Sequence, residues 1–249
     1  MLFVKITYAI IKTTLIRMDK NLYIPLAILL AGGLVAGALF ISRGDKPADT
    51  GSLTGTDTSA SLDNVRPIDE TDHILGNPDA DIIIVEYSDT ECPFCKQFHN
   101  TMHQIIDKYG SDGTVAWVYR HFPIPQLHSN APKQAEALEC AARIGGNDAF
   151  WKYTDKIYEI TPSNNGLDMA LLPQIAAEIG LDRVAFEGCL NNGTTKDIVD
   201  RDAQNAVEVG GRGTPTSVLI TKSGKKALIP GAYPYQNMVT IIEEALDQI

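Results

Sequence analysis

The chain has little cysteine, little tryptophan and too few basic residues to balance its acids. Four cysteines among 249 residues cannot staple a small loop-rich scaffold, which excludes a toxin-like disulfide framework. Lys and Arg total 21 against 31 Asp and Glu, a net charge of -10, so no basic face is available for nucleic-acid phosphates. Long charge-free runs are missing except for one near the start, which excludes a polytopic membrane protein. A hydrophobic content of 44% excludes a wholly disordered chain. The length leaves room for one large domain or two small ones. No internal repeat is present.

The single charge-free run is Leu22 to Ile41. As a helix rising about 1.5 Å per residue it spans the roughly 30 Å hydrocarbon layer. Lys5, Lys12, Arg17 and Lys20 precede it, which predicts a cytoplasmic N-terminus (residues 1–21) and an exported remainder. Ala36-Gly37-Ala38 has the form of a signal-peptidase site, but the apolar run continues past it, so an uncleaved anchor over 22–41 is the expectation. Residues 42–67, rich in Ser, Thr, Gly and Asp, read as a flexible tether. Residues 68–249 then hold 14 basic and 26 acidic groups, an acidity that suits solubility.

Within that region Ile82-Ile83-Ile84-Val85 reads as a strand buried on both faces. Ser88-Asp89-Thr90 breaks it, and Cys92-Pro93-Phe94-Cys95 follows. Phe94, Phe98, Met102, Ile105, Ile106 and Tyr109 then recur at helical spacing up to Gly110. The C-x-x-C pair therefore sits where a strand turns into a helix, with Pro93 suited to the first helical position. Unpaired N–H groups and the helix dipole favour a thiolate at Cys92. Such thiols drop from about 8.5 to roughly 3.5–7.5. Cys95 shares the apolar face and is expected to be the buried partner. Cys92 forms the mixed disulfide and Cys95 resolves it.

Glu86 interrupts the apolar strand. It is either a buried acid with a raised pKa, able to exchange a proton with Cys95, or a solvated residue at the strand end. His99 and His103 are i,i+4 neighbours with a spacing that metal coordination can use, but on a polar face among Lys96, Asn100 and Asp107 they read as solvated. Cys140 and Cys189 offer no second C-x-x-C, so no metal and no cofactor are expected.

These segments, with Asp72-His73-Ile74-Leu75-Gly76, Arg120-His121-Phe122-Pro123 and Gly213-Thr214-Pro215-Thr216, resemble the exported DsbA-type thiol–disulfide oxidoreductases, closest to the membrane-tethered BdbD-like branch. The resemblance covers about residues 68–249. It implies an α/β thioredoxin fold with a helical insertion at about 130–192, preceded here by a single transmembrane helix and a flexible linker. It implies Glu86 as the buried acid beside Cys92 and Cys95. It also implies a cis Thr214–Pro215 bond opposite Cys92, with Thr214, Pro215 and Phe94 meeting the substrate.

For Cys140 and Cys189 a structural disulfide is expected in an oxidising compartment, against the alternative of two buried free thiols. Two departures bear on potency. Phe94 stands where the family's strongest oxidants have His, and Asp89 and Glu91 are expected to oppose the thiolate if close. Three functions follow. The first is a tethered dithiol oxidase whose clients are reduced cysteine-containing exported proteins, reoxidised by a quinone-linked membrane protein of DsbB or vitamin-K-epoxide-reductase type. The others are a reductase or isomerase with the same site, and a non-catalytic chaperone or binding module.

Overall fold

The β-branched run and its neighbours form β2 (Ile82–Ser88), the central strand of a five-stranded sheet ordered β1-β3-β2-β4-β5. The structure, a computed structural model, describes residues 60–249. β3 (Val115–His121) lies parallel to β2, and a parallel pair needs a crossover, supplied by α1 (Pro93–Tyr109). β4 (Thr216–Thr221) runs antiparallel on the other side of β2 and turns at Gly224 into β5 (Lys226–Pro230). A short strand absent from the sequence reading, β1 (His73–Leu75), pairs antiparallel with β3 and closes that edge. Gly76 ends it with φ 103, where a Cβ would sit 2.9 Å from the Val115 carbonyl.

Period-two alternation sends the sheet's side chains to two cores. Ile82, Ile84, Trp117, Tyr119 and Leu219 face one side, with α1 and the C-terminal helix α6 (Tyr235–Leu246). Val85, Tyr87, Val118 and Val218 face the other, covered by α5 (Lys196–Glu208). α2 (Ala131–Ile160), α3 (Leu172–Glu178) and α4 (Arg183–Asn192) lie between β3 and α5 in sequence and form the helical insertion. α2 is broken at Gly146, whose φ of 72 is left-handed.

The expected tether ends earlier than residue 67. Leu62–Asn64 forms a 3-10 turn, Val65 is buried against α5, and the Arg66 N–H donates to Asn205. Arg120, fully buried, explains the anchoring. Its guanidinium donates to both Asp72 oxygens at 2.8 and 2.9 Å and to the carbonyls of Arg66 and Pro67. A buried charge left unpaired is costly, so this knot fixes residues 66–72 onto β3. The anchor expected at 22–41 and the tether up to residue 59 lie outside the described residues. No helix among the described residues is long and apolar enough to cross a membrane.

Candidate active site

Cys92 is the N-cap of α1, extended at φ -78 and ψ 121, and Pro93 opens the helix. No side chain caps the helix, so the N–H groups of Phe94 and Cys95 act on the Cys92 sulfur. Cys92 and Cys95 are free thiols; Cys92 is 5% exposed and Cys95 fully buried. The Cys95 thiol donating to Cys92 does most to lower the Cys92 pKa, to about 6. Thr214 and the two backbone N–H groups assist, and burial opposes them. Cys95 moves the other way. Burial raises its pKa well above the ordinary value, and the adjacent Cys92 and Glu86 charges add to that. The two sulfurs are thus distinguished as a low-pKa outer thiol and a protonated inner one.

Glu86 lies on β2 between Tyr119 and Ser217 of the flanking strands and has no solvent exposure. It is therefore the buried acid of the two alternatives. Burial lifts its pKa to about 7, against the lowering effect of hydrogen bonds from Ser88 Oγ at 2.6 Å and Trp117 Nε1 at 3.0 Å. Tyr158 extends this network, with its hydroxyl 3.0 Å from Ser88 Oγ and 3.1 Å from Tyr119 Oη. Ser88, Trp117, Tyr119 and Tyr158 were not singled out from the sequence. Trp117 and Tyr119 share the Glu86 face by strand parity, which was available as a signal. Tyr158, from a distant helix, left none.

The Thr214–Pro215 peptide is cis, and the Thr214 carbonyl lies 3.3 Å from Cys92 Sγ. Thr216 Oγ1 donates to the Gly213 carbonyl and the Gly231 N–H to that of Pro215, which fixes the loop beside the thiol. A cleft of ≈ 400 Å³ runs along Arg212, Thr214, Leu228 and Pro230. Phe94 is 61% exposed beside the cysteines. Cys92, Cys95, Glu86, Thr214 and Pro215 are therefore brought to one place, with Phe94 at its rim.

Asp89 and Glu91 are near in sequence but differently employed. Both are buried and serve as acceptors. Asp89 takes the Ile124 N–H and His128 Nδ1, each at 2.9 Å. Glu91 takes the Gln134 amide and the Asn165 N–H. Both carboxylates thus anchor neighbouring segments, and neither is among the leading influences on the Cys92 pKa.

Cys140 on α2 and Cys189 on α4 are joined as a disulfide with Cα atoms 5.8 Å apart. The histidine reading also changes. His99 is 3% exposed, not solvated. Burial lowers its pKa, and its Nε2 lies 2.8 Å from Asp155.

A thioredoxin family model matches residues 69–227, more than half of the chain. Among curated proteins the chain is similar to the Na(+)/H(+) antiporter NhaA 1 of Mycolicibacterium gilvum (strain PYR-GCK). It is 34% identical over 155 residues, which is 61% of this chain and 24% of that protein. It is also 32% identical over 178 residues to the NhaA antiporter of Herminiimonas arsenicoxydans, 71% of this chain and 26% of that one. The chain thus spans about a quarter of the length of these relatives. Among solved structures, Pseudomonas aeruginosa DsbA2 is 29% identical with a TM-score of 0.58, covering 69% of this chain and 93% of that one. BdbD from Bacillus subtilis, at 22% identity and a TM-score of 0.62 over 71% and 94% of the two chains, shares the fold. With the C-x-x-C pair, the buried acid and the cis-proline loop in one place, the chain belongs to the thioredoxin family, and its fold is DsbA-like.

Proposed function

We propose that this protein is a membrane-tethered dithiol oxidase that introduces disulfides into exported proteins. The observation that carries this reading is the unequal placement of the two thiols, Cys92 at the N-cap of α1 against the Thr214 carbonyl and Cys95 fully buried, which pulls the Cys92 pKa down and pushes that of Cys95 up. A low-pKa thiolate is a good leaving group and stabilises the reduced enzyme, which favours passing the disulfide on. In the forward direction a client thiolate attacks Cys92 Sγ of the Cys92–Cys95 disulfide. The S–S bond breaks, Cys95 leaves with the electron pair, and Glu86 supplies its proton. A second client thiolate then attacks the client sulfur of the mixed disulfide and releases Cys92 as a thiolate. The client loses two electrons and the enzyme gains them.

The client segment is placed along the cleft beside Thr214 and Pro215, extended so that its backbone pairs with Thr214, with Phe94 as an apolar contact. Leu22 to Ile41 anchors the chain, with the N-terminus in the cytoplasm and the catalytic domain outside. A quinone-linked membrane protein of DsbB or vitamin-K-epoxide-reductase type returns the pair to the disulfide.

The test is equilibration with glutathione followed by mixing the oxidised protein with a reduced two-cysteine peptide. Stoichiometric oxidation of the peptide, and a potential more oxidising than that of thioredoxin at about -270 mV, are expected. A potential at or below that value makes the protein a reductase. Peptide binding by the unsubstituted protein with no exchange, left unchanged by Cys92→Ser, makes it a binding module.

A further inference from the structure

Every histidine of the chain has a ring nitrogen within 2.9 Å of a carboxylate oxygen. Three of the five belong to closed contacts. His73 and His121 meet on Glu139 beneath the ring of Phe150, and His128 meets Asp89 inside the redox loop. The other two behave differently. His99 and His103, four residues apart on one face of α1, converge with Asp155 of α2 at the wall of an open cleft of ≈ 300 Å³.

We propose that His99 Nε2, His103 Nε2 and Asp155 Oδ1 form a binding site for a divalent transition-metal ion of the Zn2+ class, outside the redox pair. The geometry carries this. His99 Nε2 and His103 Nε2 lie 2.8 and 2.9 Å from Asp155 Oδ1, and 3.2 Å from each other. A tetrahedral ion with bonds of about 2.0–2.1 Å sets its ligand atoms about 3.3–3.4 Å apart. The triangle therefore has to open by only a few tenths of an ångström to receive one.

The rings are held in place before any ion arrives. His99 packs against Tyr158 at 4.5 Å and Trp117 at 5.2 Å, and His103 stands edge-on to Trp117 at 5.4 Å. Such preorganisation is what a ligand set needs from its supporting shell. His99 Nδ1 is buried with no hydrogen-bond partner. Ligation moves the His99 proton from Nε2 to this Nδ1, so the bound ion has to offset the cost of an unpaired buried N–H there.

Two imidazoles and a carboxylate, without thiolate, suit a borderline divalent ion rather than Mg2+ or Ca2+. Asn100 and Glu159 line the same cleft. Lys96 also lines the cleft, but its ammonium is held on the Thr161 carbonyl at 2.6 Å.

The experiment uses the full chain in detergent with Cys92 and Cys95 oxidised, so that no thiol competes. It is titrated with Co2+ and then with Zn2+. The expected result is one equivalent of Co2+ with the visible d–d bands of a four-coordinate ion, displaced by Zn2+. His103→Gln and Asp155→Asn each weaken Zn2+ binding at least about tenfold, and His73→Gln leaves it unchanged. In the unsubstituted protein Zn2+ shifts the ring resonances of His99 and His103. Three results overturn the proposal. They are the absence of saturable one-equivalent binding, binding that survives both His103→Gln and Asp155→Asn, and ring shifts at His73, His121 or His128 in place of His99 and His103.

Discussion

The two cysteine pairs are the same residue type put to opposite uses. Cys92 and Cys95 sit in the first turn of α1, with free N–H groups at one sulfur and a buried acid near the other. Cys140 and Cys189 sit within the bodies of two helices of the insertion, 49 residues apart. Thr195 and Thr194 hydroxyls stand near the Cys140 and Cys189 sulfurs at 3.9 and 3.8 Å. Reactivity thus comes from where a thiol lies on its helix and what faces it. Cross-linking comes from the length of chain between the partners.

The sharpest test of that contrast is to remove each pair in turn. Cys92→Ser is expected to abolish disulfide transfer to a peptide while the fold persists. Replacing both Cys140 and Cys189 by Ser is expected to leave the transfer rate unchanged and to lower unfolding free energy by about 2–5 kcal/mol, measured by urea denaturation. If the second variant also loses transfer, the division of labour fails.

Glu86 gives the next effect. Its pKa is about 7 in the fold against 4.5 when exposed, so the unfolded chain releases this proton first. Stability therefore falls as pH rises through the window from 4.5 to 7, by about 3 kcal/mol for this group, and is flat in it above 7. Glu86→Gln is expected to flatten that slope in urea denaturation of the oxidised protein at pH 4 and pH 8. It is also expected to slow exchange, because Cys95 then lacks its proton partner.

Alkylation offers a finer comparison of the two thiols. Iodoacetamide labelling of the reduced protein is expected to track a Cys92 thiolate with a midpoint near pH 6, with Cys95 unlabelled. The smallest effect concerns Phe94, whose exposed ring neither donates to the thiolate nor carries charge. Phe94→His is expected to make the pair more oxidising by about 30 mV, a tenfold shift in the exchange equilibrium with glutathione. The unsubstituted potential is expected to stay below about -120 mV.

Much of the site was legible because its chemistry is local. Cys92, Pro93 and Cys95 declare a helix start within four residues, and Glu86 stands out in an apolar strand. The rest depended on distant partners. β1 is three residues long, too short for any period to show, and exists because β3 offers it an edge. Residues 62–67 look like tether in composition, but Arg120, Asp202 and Asn205, with the packing of Val65 against α5, make them part of the domain. His99 reads as polar and solvated on its own helix, but Tyr158 and Asp155 of α2 bury and bind it. The charges of Asp89 and Glu91 were visible, but their acceptor roles were fixed by residues 35 or more positions away.

That last arrangement bears on how the domain can be shortened. Glu91 is buried, and its carboxylate is met by Gln134 and Asn165; its carbonyl is met by the Asn164 N–H. Asn164 and Asn165 reach it from a turn in which three consecutive non-glycine residues have positive φ. Deleting residues 130–192 to obtain a minimal sheet-and-helix core would remove every one of these donors from the residue that directly precedes Cys92. The insertion is therefore not a detachable module.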